Sequence, residues 1–200
     1  MSLIKIVTAC TQTLIDHVEE LTALDQAIGD GDHGLNMRRG SLAIQGKLAQ
    51  FETANMRESL KLMGMTCMAT IGGSSGPVFG TLLVTLSKEL PDHPQPADLS
   101  KAITASIAAL TKLGKAQVGQ KTLLDVLDPV QKVLNDVGDG ANSPELIARV
   151  RQCAIDSAQA TASMQAIKGR SSFLGDRALG HVDPGSRSMA LIICAVCDTL

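Results

Sequence analysis

Leu24-Asp25-Gln26-Ala27-Ile28-Gly29-Asp30-Gly31-Asp32-His33-Gly34-Leu35-Asn36-Met37 joins the first two helical patterns of the chain and holds its densest chemistry. Asp25 ends the first pattern, and Asp30 and Asp32 follow in a turn punctuated by Gly29, Gly31 and Gly34. Glycine tolerates positive φ, which lets carboxylates two residues apart converge. Three clustered carboxylates repel one another unless a cation sits among them, and the stretch contains no Lys or Arg. An all-oxygen ligand set favours Mg²⁺, Mn²⁺ or Ca²⁺ over Zn²⁺. The calcium-hand register fails, because counting from Asp30 puts Gly34 at position 5 and Ser41, rather than Glu, at position 12. The plainer alternative is a solvated Asp/Gly turn with helix caps. His33 reads as a metal ligand, an acid/base, or a partner for phosphate or backbone. Zn²⁺ is disfavoured because no second His or Cys lies nearby.

On both sides of this stretch the apolar residues recur at helical spacing, in about eight segments and with no convincing strand. The first runs from near Ser2 to Ala23, with Val7, Leu14, Val18 and Leu21 on one face; the second runs from Leu35 to Phe51 and the third from Met56 to Ile71. The fourth opens at Pro77 and stops at Leu90, before Pro91, Pro94 and Pro96. Asp98 reads as the cap of the fifth, which reaches Leu113, and the sixth spans Thr122 to Val137 with Pro129 expected to kink or restart it. Ser143-Pro144-Glu145 opens the seventh, a cap followed by proline at the first helical position, and it continues to Gln165. The eighth begins near Ser186 or Ser188 and runs to the C-terminus. Short connections between such segments predict antiparallel neighbours in one all-helical bundle or closed ring spanning residues 1–200. The 200-residue length suits a single core.

Composition narrows the function classes. Lys plus Arg number 18 against 20 Asp plus Glu, a net charge of −2, with no Trp, no Tyr and 3 Phe. Neither a basic field nor a stacking platform is available for nucleic acid. The longest strongly apolar run, Met189 to Cys197, is shorter than the roughly 20 residues of a membrane span. The start, Met1-Ser2-Leu3-Ile4-Lys5, lacks the marks of a secretory leader, and the 5 Cys are an odd number, so a reduced cytoplasmic setting is expected. Cys194 and Cys197 read as two core cysteines at helical spacing rather than a redox pair.

Two further stretches bear chemistry. Gly72-Gly73-Ser74-Ser75-Gly76-Pro77 opens a helix with free N–H groups suited to phosphate, without the Lys-Ser/Thr ending of a Walker loop. An ordinary Gly/Ser turn fits the same residues. Lys168 to Gly185 reads as a loop of nearly 20 residues, long enough to suggest function. Its Arg170 and Arg177, with the following Arg187, suit phosphate neutralisation, and Asp183-Pro184-Gly185 suggests a tight turn. A solvated charged loop is the alternative.

In order along the chain, Gly29-Asp30-Gly31-Asp32-His33-Gly34 with Asn36-Met37, Gly72-Gly73-Ser74-Ser75-Gly76-Pro77, Lys121-Thr122-Leu123-Leu124-Asp125, Gly169-Arg170-Ser171-Ser172 and His181-Val182-Asp183-Pro184-Gly185 resemble the nucleotide-binding L subunits of dihydroxyacetone kinases, over essentially the whole chain. The resemblance implies an antiparallel eight-helix barrel with a nucleotide site among the loops at one end. It implies that Asp25, Asp30 and Asp32 hold two Mg²⁺ ions bridging the phosphates of ADP or ATP. It further implies that His33, Gly34, Leu35, Asn36, Ser74 and Ser75 lie along the phosphates. Gly114, Leu123, Arg170 and Asp183-Pro184-Gly185 would surround the rest of the nucleotide, although Leu123 reads equally as core. No residue of this chain is expected to act as nucleophile or base on the sugar. A K subunit would hold dihydroxyacetone, and the stand-alone length suggests the type in which a phosphotransferase-system M subunit rephosphorylates bound ADP. A homodimer is compatible with the resemblance. The alternatives are an ATP-dependent kinase subunit for a fatty-acid or polyol acceptor, or a regulatory module that binds a transcription factor.

Overall fold

A computed structural model of the protein describes residues 2–136 and 143–200, and among these no strand occurs. Ten α-helices follow one another: α1 Leu3–Asp16, α2 Val18–Ile28, α3 His33–Gln45, α4 Leu48–Phe51, α5 Met56–Thr70, α6 Ser75–Glu89, α7 Pro96–Gly114, α8 Leu124–Asn135, α9 Pro144–Ala160 and α10 Pro184–Cys197. Short 3₁₀ segments at Thr161–Ser163 and Arg170–Ala178 lie between α9 and α10. Each long helix packs on the next from α5 through α10, α10 packs on α1, and α3 joins α1 to α5. Eight helices thereby close into an antiparallel ring, the barrel that the sequence predicts. The first pattern is split, because His17 leaves helical geometry (φ −103°, ψ 18°) and α2 starts immediately after it. The small α4 breaks the predicted second helix in the same way.

The core is made of residues from the predicted apolar faces, with Leu21, Val126 and Ala154 fully buried. Residues without bulk, such as Ala102, Ala154 and Ala190, let neighbouring helices approach closely. Apolar residues of the ring line a partly open cavity of about 330 Å³. Cys67 and Cys197 face it; burial pushes the Cys67 thiol up to about 12 and that of Cys197 to about 11. All five thiols are free; Cys197 belongs to the core as expected, whereas Cys194 is only partly buried and lies outside it.

Several boundaries move for local reasons. Asp98 is not the cap of α7: Gln95 holds that position, and the Asp98 carboxylate reaches back to accept its N–H at 3.0 Å. Ser143 caps α9 as expected, accepting the Leu146 N–H at 3.1 Å. Pro129 does not restart α8, which runs through it as one helix. Val137, the expected end of that helix, lies outside the described residues. Asp183-Pro184-Gly185 is not a free turn but the start of α10. Asp183 is the N-cap, its carboxylate accepting the Ser186 N–H at 2.7 Å, and Pro184 takes the first position.

Candidate functional site

The junctions α2–α3, α5–α6, α7–α8 and α9–α10 gather at one end of the ring, around a cleft of about 320 Å³. That size falls in the range of small-molecule sites, roughly 300–1,000 Å³.

The acidic cluster forms one wall. α2 runs past the expected Ala23 to Ile28, so Asp25 lies inside its last turns and is buried. Its carboxylate accepts the N–H groups of Asp32 (2.9 Å) and His33 (3.1 Å) and so folds the turn back onto the helix. Of the three glycines that punctuate this turn, only Gly31 takes a positive φ, 77°. Gly29 serves close approach instead, since a Cβ there would lie 2.2 Å from an oxygen of Asp25. Asp25, Asp30 and Asp32 each place one carboxylate oxygen within 4.8 Å of the others. Such a hard-oxygen set fits a divalent cation. In this structure Arg170 forms an ion pair with Asp30.

Behind the cluster, His33 is buried and held on both sides. Nδ1 lies 3.2 Å from the Ser75 hydroxyl and Nε2 lies 2.8 Å from that of Ser188. Burial pulls its pKa down, outweighing the nearby Asp25 and Asp32 carboxylates, so the neutral ring is favoured near neutral pH. With both nitrogens engaged, its position suits orienting Ser75 and α10 better than binding metal.

Among the other expected residues, Ser74, Ser75, Gly114, Leu123, Arg170, Asp183, Pro184 and Gly185 all line the cleft. Gly34, Leu35 and Asn36 do not. A Cβ on Gly34 would sit 2.2 Å from the Val18 carbonyl oxygen, which makes this glycine the crossing point of α2 and α3. Leu35 points outward, 53% exposed. Asn36 is buried beneath the Gly72 turn and accepts from Arg39 at 3.1 Å. Of the three arginines proposed for phosphate, only Arg170 reaches the cleft. Arg187 is engaged by Glu20 across the α2–α10 contact, and Arg177 is exposed elsewhere.

The long connection is ordered by a small cluster of its own, in which Ala166, Ala178 and Leu174 pack on Ile28 at the end of α2. That contact brings Gly169, Arg170 and Ser171 to the rim beside the acidic residues. Sequence reasoning assigned no role to two buried charged groups at the site. Asp125 accepts N–H groups from Gly119 and, at 2.7 Å, Thr122, and so shapes the turn before α8. Lys121 lies beneath the cleft with a φ of 61°. An Asp two residues into a helix is a common capping signal, whereas nothing local marks Lys121.

The family model described as the DAK2 domain matches residues 27–198. The ADP-binding subunit of PEP-dependent dihydroxyacetone kinase 1 from Listeria innocua is 39% identical over 180 residues, which cover 90% of this chain and 86% of that protein. The ADP-binding subunit of PTS-dependent dihydroxyacetone kinase from Lactococcus lactis is 38% identical over 172 residues, covering 86% and 83%. Among solved structures, the dihydroxyacetone kinase from C. freundii in complex with AMP-PNP and Mg²⁺ matches with a TM-score of 0.78 at 24% identity, over 99% of this chain and 34% of that one. That last likeness is one of fold.

Proposed function

The chain belongs to the DAK2 domain family, and from that premise we propose that it is the nucleotide-holding subunit of a dihydroxyacetone kinase. In this reading residues 1–200 form one domain that holds ADP or ATP with Mg²⁺ and passes the phosphoryl group to dihydroxyacetone on a separate K subunit. The observation that carries it is the convergence of Asp25, Asp30 and Asp32 at the mouth of a cleft that also takes in the Gly73–Ser75 turn and Arg170.

Phosphoryl transfer requires charge neutralisation and in-line placement more than covalent help. Asp25, Asp30 and Asp32 would hold the Mg²⁺ ions, which when bound neutralise phosphate oxygens. The turn that opens α6 offers backbone N–H groups and the positive end of the helix dipole to phosphate. His33 holds the Ser75 hydroxyl at the start of that helix. Arg170 is half-exposed at the rim and can exchange its carboxylate partner for a phosphate. Gly114, Leu123 and the Asp183–Gly185 strip bound the remaining space, where the sugar and base would lie. Activation of the acceptor falls to the K subunit.

The relatives' names, PEP-dependent and PTS-dependent, support the version in which an M subunit of the phosphotransferase system rephosphorylates ADP on this protein. Cytoplasmic residence fits that chemistry, and among the described residues no helix is long and apolar enough to cross a membrane. Denaturing the purified protein and identifying what is released tests the reading. ADP or ATP with Mg²⁺ is expected; no nucleotide, together with no melting response to added Mg·ADP, would end it.

A further inference from the structure

Lys121 is 1% exposed and heads the fully buried side chains by size. A buried ammonium is unfavourable unless its hydrogens find acceptors. Its Nζ donates to the carbonyl oxygens of Thr161 at 2.6 Å and His181 at 2.5 Å. Thr161 caps the C-terminus of α9, where the helix dipole favours a cation, and its carbonyl also accepts the Met164 N–H at 3.1 Å. The backbone is held at a φ of 61°, a region that non-glycine residues avoid unless their surroundings enforce it. Burial pulls the pKa of Lys121 down, and the nearby Asp183 opposes that shift.

The partners of Lys121 lead directly to the cleft. Thr161, which accepts from Lys121 through its carbonyl, accepts the Asp183 N–H through its hydroxyl at 3.0 Å. Asp183 in turn caps α10 through the N–H and the hydroxyl of Ser186, at 2.7 and 3.0 Å. On its other flank the same turn of α10 is held by the bond between His33 and Ser188. In the chain, Lys121 precedes Thr122 and Leu123, which line the cleft as Asp183, Pro184 and Gly185 do. One ammonium group therefore ties two walls together, each supplied by a different helix junction.

We infer that Lys121 is a positioning residue of the nucleotide cleft: through Thr161 and His181 it sets the Asp183–Gly185 strip against the Thr122–Leu123 wall, and thereby sets nucleotide affinity without contacting the metal ligands. This role rests on the nucleotide reading above.

The test uses the full chain with Lys121→Met, which keeps the length and removes the charge, and Thr161→Val, which keeps the approximate volume and removes the acceptor for Asp183. Mg·ADP binding is measured by calorimetry, well below the melting midpoint of each ligand-free variant. Affinity is expected to fall roughly tenfold or more in each variant that folds, the scale of a lost buried hydrogen bond. A tie that serves only the fold would lower the melting midpoint and leave the affinity of the folded protein unchanged, and that result overturns the inference. Thr161→Val removes one hydroxyl, so it supplies the measurement where Lys121→Met fails to fold. Wild-type protein that fails to bind Mg·ADP sinks the nucleotide reading and this role with it. Wild-type binding matched by both variants sinks the role alone.

Discussion

The carboxylate of Asp25 accepts the backbone N–H of Asp32 at 2.9 Å, so one acidic residue positions another seven places along the chain. Asp25 therefore has two tasks, shaping the turn and completing the oxygen set, whereas Asp30 is exposed and, beyond its ion pair with Arg170, has only the second.

That division predicts a contrast between two variants. Asp25→Ala leaves the N–H groups of Asp32 and His33 without their acceptor and should lower the stability of the ligand-free protein by about 1–3 kcal/mol. Asp30→Ala should change it by about 0.5 kcal/mol or less, since it removes only an exposed ion pair. Both should abolish the rise in melting temperature produced by Mg·ADP, because ligand bound only to the native state stabilises by mass action. Equal ligand-free stabilities in denaturant titrations would refute the structural role of Asp25.

Arg170→Ala should weaken Mg·ADP binding while the ligand-free melting temperature stays close to wild type. The side chain is half-exposed and outside the core, and its partner Asp30 is equally solvated. Calorimetry showing wild-type affinity would place Arg170 among solvated loop residues.

Asp183 gives a pH-dependent prediction. Burial pushes its carboxyl up from 3.8 to about 6, against the opposing effects of Ser186 and Lys121. The folded chain therefore holds this proton more tightly than the unfolded chain does. The stability gained is present below the ordinary value and is lost as pH rises through about 6. Asp183→Asn keeps a carbonyl to cap α10 and does not titrate. Between pH 4 and 7 its unfolding free energy should gain on wild type by on the order of 1–2 kcal/mol, less than the full shift implies because Asp183 retains some solvent contact. Parallel pH curves for the two proteins would contradict the assignment.

Nucleotide exchange should be slow. Leu174 and Ala178 of the segment Arg170–Ala178 pack with Ala166 on Ile28 and hold Gly169, Arg170 and Ser171 at the rim of the cleft, so release is expected to require moving an ordered rim. Tight binding generally appears as a slow off-rate. Protein preloaded with labelled ADP and chased with unlabelled ADP should retain label over many turnovers with K and M subunits. Release within a single turnover, or full activity with K and ATP alone, would identify an exchanging substrate instead of a resident cofactor.

Local physics made much of this protein readable in advance. Apolar spacing marked the helices, because each needs one buried face whatever it packs against. Ser143-Pro144 located the start of α9, since a cap and its proline act within a single turn. The Asp25–Asp32 stretch announced an acidic cluster, because its carboxylates are neighbours in sequence. Tertiary structure decided what depends on partners far away along the chain. Asp183-Pro184-Gly185 has the local signature of both a turn and a helix start, and the Thr161 hydroxyl, 22 residues away, holds Asp183 where it caps α10. Arg170 and Arg187 look alike in sequence, yet Glu20, 167 residues from Arg187, takes that guanidinium out of the cleft. Lys121 carries no local mark, because its acceptors lie 40 and 60 residues away. Periodicity and capping act over one or two helical turns and are written along the chain, whereas the partner of a buried charge is known only once the ring has closed.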